Sequence, residues 1–295
     1  MITVNSNPTP SITPNGATTF CNGGSVTLDA GFYSGYNWSN NTTNETTIIS
    51  AAGNYTVTVT DGNNCTGTSS QVVTVNSNPV TAITPSSATA FCLGGSVSLD
   101  AGAGFSTYQW SNGATTETIG VSPSSTTTYS VTVTNGNNCS GLASRLITVY
   151  PLPVITTISS NSPVCAGATL HLTSLGTGIA VHSWTGPNSF NSSSASSSIA
   201  NSTVNESGTY NLNVSSNHGC TSSSSTVVVI NPVPTPVITG PGSFCAGGSA
   251  TLNANTGYNS YSWNHNGGTN QSATYTAAST YIVTVKKFLY NCFHL

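Results

Sequence analysis

Segments in which apolar and small polar side chains alternate strictly recur along the chain: Tyr55-Thr-Val57-Thr-Val59, Tyr129-Ser-Val131-Thr-Val133, Tyr210-Asn-Leu212-Asn-Val214 and Tyr281-Ile-Val283-Thr-Val285. A period of two puts one face of each segment in a core and the other in water, which reads as a half-buried β-strand. Ser25-Val26-Thr27-Leu28-Asp29-Ala30 and its copies, and closing segments such as Gln71-Val72-Val73-Thr74-Val75, read the same way. No window shows the 3.6-residue period of an amphipathic helix. Turn sequences such as Asp61-Gly62-Asn63-Asn64 and Asn135-Gly136-Asn137-Asn138 separate the segments. Short strands at this spacing predict an all-β chain of sandwich type.

The strands belong to one unit written four times. Its copies open with Phe20-Cys21-Asn22-Gly23-Gly24-Ser25, Phe91-Cys92-Leu93-Gly94-Gly95-Ser96, Val164-Cys165-Ala166-Gly167-Ala168 and Phe244-Cys245-Ala246-Gly247-Gly248-Ser249. A tryptophan follows 17 to 19 residues later (Trp38, Trp110, Trp184, Trp263), then the strand tyrosine (Tyr55, Tyr129, Tyr210, Tyr281), then a second cysteine ten or eleven residues on. Large aromatics at fixed repeat positions are expected in the cores. The units predicted are residues 8–78, 79–151, 152–232 and 233–295, with 1–7 left over from a preceding unit. Prolines at the joints, as in Asn76-Ser-Asn-Pro79 and Tyr150-Pro151-Leu-Pro153, suggest extended linkers and a rod-like array.

Eight cysteines, Cys21, Cys65, Cys92, Cys139, Cys165, Cys220, Cys245 and Cys292, include no Cys-x-x-Cys pair. An even set of this kind points to disulfides and an oxidising compartment, hence an extracellular or cell-surface protein. The expected pairing is one bridge per unit, Cys21 with Cys65, Cys92 with Cys139, Cys165 with Cys220 and Cys245 with Cys292. Each would close a loop of roughly 45 to 55 residues and contribute about 4 kcal/mol to a small domain.

Composition narrows the function further. Charged residues are 3% of the chain, and Arg145, Lys286 and Lys287 are its only basic side chains besides histidine. That set cannot neutralise a phosphate backbone, so nucleic-acid binding is excluded. The longest apolar run, near Val227 to Ile230, is far below the ~20 residues of a membrane span. His171, His182, His218, His265 and His294 lie scattered over separate positions of the unit, and the six acidic residues form no cluster of calcium ligands. Serines are abundant, but no Gly-x-Ser-x-Gly elbow occurs. No catalytic residue, metal site or cofactor is expected, and the chain reads as a non-enzyme.

The combined motif, Phe-Cys-x-Gly-Gly-Ser, then Tyr-x-Trp-Ser-Asn-Gly, then Tyr-x-Val-x-Val-Thr-x-Gly-Asn-Asn-Cys, resembles the Ig-like and PKD-like tandem repeats of large secreted Bacteroidota surface proteins, gliding-motility adhesins among them. The resemblance implies four Ig-like sandwiches, export, and a role as spacer, stalk or adhesive module. Met1-Ile2-Thr3-Val4-Asn5-Ser6-Asn7-Pro8 matches Val72-Val73-Thr74-Val75-Asn76-Ser77-Asn78-Pro79, while only Phe293-His294-Leu295 follows Cys292. Two readings follow: Met1, Ile2, Thr3 and Val4 are a candidate donor strand for the open edge of another copy, giving head-to-tail assembly, or the sequence is a stretch of a longer array cut at arbitrary points. The partners expected are neighbouring copies of the same repeat. The alternatives are an adhesin gripping surface proteins or glycans through its loops, and a carbohydrate-binding appendage of a secreted enzyme.

Overall fold

A computed structural model describes residues 1–287 and, for backbone pairing alone, 292–294. The chain is all-β and forms two compact units, Met1–Val149 and Tyr150–Leu295. Each holds two Ig-like sandwiches. Among the described residues the only helical element is a 3-10 turn, Val204–Glu206.

In the first unit, the first sandwich sets an antiparallel sheet of Thr13–Asn15, Val26–Asp29 and Thr46–Ile49 against a second sheet. The order there is Thr19–Cys21, Thr66–Asn76, Gly53–Thr60 and Gly35–Trp38. Alternation decides what lies between them: Val26, Leu28, Val57 and Val59 point inward and are buried, while the intervening threonines face away. The strand Thr19–Cys21 runs parallel to Thr66–Asn76, with Thr19 opposite Thr74, Phe20 opposite Val75 and Cys21 opposite Asn76. The second sandwich repeats the plan. Val97–Asp100 pairs with Thr118–Val121 and Thr84–Pro85, and the other sheet runs Thr107–Trp110, Thr127–Thr134, Ser140–Tyr150, Ala90–Cys92.

In the second unit, the third sandwich pairs Leu170–Thr177 with Val154–Ser160 and Ser196–Ile199. Its other sheet contains Asn191–Ser192, Val181–Thr185, Gly208–Ser215 and Thr221–Val228, and Val164–Cys165 lies parallel to Ile230–Asn231. The fourth sandwich has Ile238–Thr239, Ala250–Ala254 and Ser272–Tyr275 on one side, and Ser260–Trp263, Val283–Lys287 and Cys292–His294 on the other. Segment 243–246, the counterpart of the strand that carries Cys21, forms no strand here.

Each sandwich has its own core, built on the tryptophan. Trp38, Trp110, Trp184 and Trp263 are at most 5% exposed. Every indole N–H donates to a backbone carbonyl six to ten residues on, at Asn44, Thr116, Ser194 and Asn270. A buried indole that keeps its hydrogen bond contributes its full apolar area without an unpaired donor. Tyr55, Tyr210 and Tyr281 donate to the carbonyl four residues upstream, at Ala51, Glu206 and Ala277. This is the corner by which Ig-type sandwiches fix the entry to the strand. Tyr129 and Tyr210 are buried, whereas Tyr55 and Tyr281 are half-buried.

Candidate functional site: a bridge between repeats and an open sandwich edge

The cysteine pairing differs from the sequence expectation. Cys21 is bonded to Cys139 of the second repeat, with the Cα atoms 5.4 Å apart and 118 residues between them in sequence. Cys65 and Cys245 carry free thiols. This bond takes the place of the expected Cys21–Cys65 and Cys92–Cys139 bridges, and Cys245 does not form the expected bridge to Cys292. The reason is the length of one strand. Thr66–Asn76 starts immediately after Cys65, runs for 11 residues and ends beside Cys21, so it holds the two cysteines of one repeat about 34 Å apart. A disulfide spans at most about 7 Å between Cα atoms. Cys220 and Cys165 flank the corresponding strands of the third repeat in the same way, which excludes their expected bond to each other. Cys92, Cys165 and Cys220 are nonetheless disulfide-bonded. The side chain of Cys292 lies outside the described residues.

Two local structures present these cysteines. The first cysteine of every repeat opens a tight turn in which the residue three positions on donates its N–H to the cysteine carbonyl: Gly24 to Cys21, Gly95 to Cys92, Ala168 to Cys165 and Gly248 to Cys245, at 2.8 to 3.0 Å. The glycine inside the turn has positive φ in all four, from 75° to 94°, a conformation only glycine adopts without strain. The second cysteine sits in a loop closed by an acceptor side chain. Asp61 Oδ1 accepts from the N–H groups of Asn63 and Cys65, Asn135 Oδ1 accepts from Asn137 and Cys139, and Ser216 Oγ accepts from His218 and Cys220.

The same loop clasps the chain entering its repeat. Asn135 Nδ2 donates to the carbonyl of Ser77, and the sulfur of Cys139 lies 4.0 Å from the carbonyl of Asn76. A Cβ on Gly141 would collide with the carbonyl of Pro79, and one on Gly67 with the carbonyl of Pro8. In the third repeat the Cys220 sulfur is 4.0 Å from the carbonyl of Tyr150, Ser222 Oγ donates to Pro153, and His218 stacks on Tyr150 with centroids 3.7 Å apart. Within the first unit, Cys139 thus meets the end of the strand Thr66–Asn76, where Cys21 already lies. The glycines at 67 and 141 escaped sequence reasoning, although the recurrence of Cys-Thr-Gly and Cys-Ser-Gly two residues past the loop was the signal for them.

The fourth repeat carries an open apolar groove of about 620 Å³. Ile238, Phe244, Ala250, Leu252 and Tyr281 line it, with Cys245 exposed at its rim. By repeat position and sheet register these correspond to Ile12, Phe20, Val26, Leu28 and Tyr55, the residues that pack with buried Val73 in the first core. Met1, Ile2 and Val4 are more than 90% exposed and belong to no strand.

No group of three or more His, Cys, Asp or Glu side chains is placed to hold a metal among the described residues. No helix among them is long and apolar enough to cross a membrane. The tryptophan rings are closed off from any ligand by burial. Glu206 has its pKa lowered, first by the hydroxyl of Thr203, then by the amide of Asn188 and the Thr203 N–H. Burial, and next the Glu206 charge, raise the pKa of Tyr210.

No family model matches the chain, and no curated protein does. Among solved structures it is similar to the N-terminal eight Ig domains of the Down Syndrome Cell Adhesion Molecule, at 16% identity and TM-score 0.44, covering 88% of this chain and 42% of that one. It is also similar to a fragment of a 1.5-MDa bacterial ice-binding adhesin (19% identity, TM-score 0.32, 77% and 100% covered). A third likeness is to titin domains I67–I69 (14% identity, TM-score 0.38, 73% and 95% covered). At these values the Ig-like description rests on the chain's own sheet pairing and core.

Proposed function

We propose that this chain is an extracellular structural repeat protein, a load-bearing spacer or stalk of the kind its Bacteroidota-like motifs suggest, able to act as a filament subunit by head-to-tail strand complementation. The observation that carries this reading is the bridge from Cys21 to Cys139, which joins successive sandwiches instead of closing one. Tension along the backbone that reaches Cys21 passes through sulfur to Cys139. Residues 22–138 are then shielded, and neither sandwich of the first unit can unravel fully while the bridge stands. A disulfide also requires an oxidising compartment, which fits a surface or secreted location. The buried tryptophans and the sparse charge support a structural role.

Single-molecule pulling of the full chain between its ends tests this. Unfolding of the oxidised protein should release little length from the first unit, and adding a reductant should release at least about 400 Å more, the extended length of the shielded segment. Equal release in both states would remove the spacer reading.

A further inference from the structure

The third repeat departs from the other three at the residue after its tryptophan. In those three, Ser39 Oγ accepts from the N–H of Thr56, Ser111 Oγ from that of Ser130, and Asn264 Oδ1 from that of Ile282, so each side chain is turned onto the backbone of the neighbouring strand. In the third repeat the position is Thr185, and the strand Val181–Thr185 runs through it, pairing Thr185 with Asn211 on one side and Asn191 on the other. The turn closes further on, where Phe190 N donates to the carbonyl of Pro187. The outer face of this sheet carries two rows of small polar side chains. Thr185, Asn211 and Ser225 stand side by side in one row, and Ser183, Asn213 and Ser223 in the other. All six are exposed, because the alternation that sends Trp184, Tyr210, Leu212 and Val214 into the core sends these out. An open groove of about 510 Å³ runs over them, lined by Thr185, Asn211, Asn213, Ser223, Ser224 and Ser225.

We infer that this groove is a binding site for a neutral polysaccharide. The chemistry of the lining selects the ligand class. The strands Val181–Thr185, Gly208–Ser215 and Thr221–Val228 carry no Asp, Glu, Lys or Arg, and their titratable side chains, His182 and Tyr210, alternate onto the other face. A charged ligand would give up hydration here without meeting a countercharge. An apolar one would cover amides and hydroxyls and pair none of them. A chain of sugar rings does neither. Its hydroxyls both donate and accept, each asparagine amide offers two donors and an acceptor oxygen, and each serine or threonine hydroxyl does both. Strands about 4.8 Å apart, with like-facing residues about 6.8 Å apart along each, set these groups densely enough for one ring to meet several at once. In the second repeat the row matching Ser183, Asn213 and Ser223 is Gln109, Thr132 and Leu142, and the leucine is 71% exposed. The uninterrupted polar surface therefore belongs to the third repeat and is not a general property of the sandwich. This binding role goes beyond the spacer reading and does not depend on it.

The test is affinity electrophoresis of the full chain in native gels cast with hydroxyethyl cellulose, dextran or galactomannan, and with alginate as the anionic comparison. At least one of the neutral polymers should retard the chain in proportion to its concentration. The retardation should persist when salt is raised, since no ion pair holds the complex. Asn211→Val together with Asn213→Val removes the central amides and keeps strand-favouring residues on an exposed face, so the fold is retained while the apparent dissociation constant rises about tenfold or more. Ser223→Leu, which occupies the groove from the adjacent strand, should act in the same direction. Thr132→Val, at the place of Asn213 in the second repeat, should leave the mobility unchanged. Free migration in all three neutral gels, retardation by alginate alone, or retardation that survives both the double valine variant and Ser223→Leu would each overturn the inference. None of these outcomes touches the Cys21–Cys139 bridge, on which the spacer reading stands.

Discussion

Glu206 is a buried acid in a chain with almost no charge, and its surroundings say why it is tolerated. Its Oε2 accepts from the N–H and the hydroxyl of Thr203, both at 2.6 Å, and its Oε1 accepts from Asn188 Nδ2 at 2.7 Å. The bond from the Thr203 N–H is one half of the capping box of the turn Val204–Glu206, the Thr203 hydroxyl oxygen accepting from the turn's backbone N–H being the other, and the turn's last carbonyl receives the Tyr210 hydroxyl. Hydrogen bonds to the ionised form depress the folded-state pKa, so the stabilisation is complete above the ordinary carboxylate range. It is lost as the pH falls through the lowered value. Urea denaturation of the full chain at a series of pH values should therefore show stability declining in that acidic window, with Glu206→Gln flattening the decline. An identical slope in the variant would remove Glu206 from the account.

At the scale of elements, the joint between sandwiches is set by a loop pressing on a linker. Gly141 lies where the carbonyl of Pro79 leaves no room for a side chain, in the same strand that leads away from Cys139. Gly141→Ala has to push the linker or the strand aside, an overpacking strain of about 1–3 kcal/mol. Oxidative refolding should then give less of the Cys21–Cys139 cystine by peptide mapping, because the displaced loop no longer aims its sulfur at Cys21. Gly120→Ala serves as the control: that glycine lies in the strand Thr118–Val121 with nothing within 4 Å of a new Cβ, and its cystine yield should match the native chain.

Over the whole molecule, covalent closure acts across repeats. The bridge spans 118 residues, and chain-entropy reasoning gives such a loop about 4 to 5 kcal/mol at 25 °C. Cys139→Ser should lower the stability of the oxidised first unit by up to that amount in thermal denaturation, whereas Cys65→Ser, at a free thiol, should leave it unchanged. Bridges closed within each repeat would make both substitutions damaging, so the pair separates the two arrangements. It also bears on the mechanical reading: a cross-link that stabilises two sandwiches jointly couples their unfolding.

Alternation along Tyr55 to Val59 and its copies, with tryptophans at fixed spacing, fixes which side chains enter a core. It does so because the two-residue period of a strand is a local property written in consecutive residues. The all-β class and the burial of Trp38, Trp110, Trp184 and Trp263 follow from that period. The partner of Cys21 does not, since it depends on which ends of two sandwiches meet in space. The parallel register that sets Cys21 opposite Asn76, and the 11-residue strand that carries Cys65 to the far end, arise only when the sheets assemble. Spacing in sequence counts the residues between two sulfurs, and folding decides the distance between them.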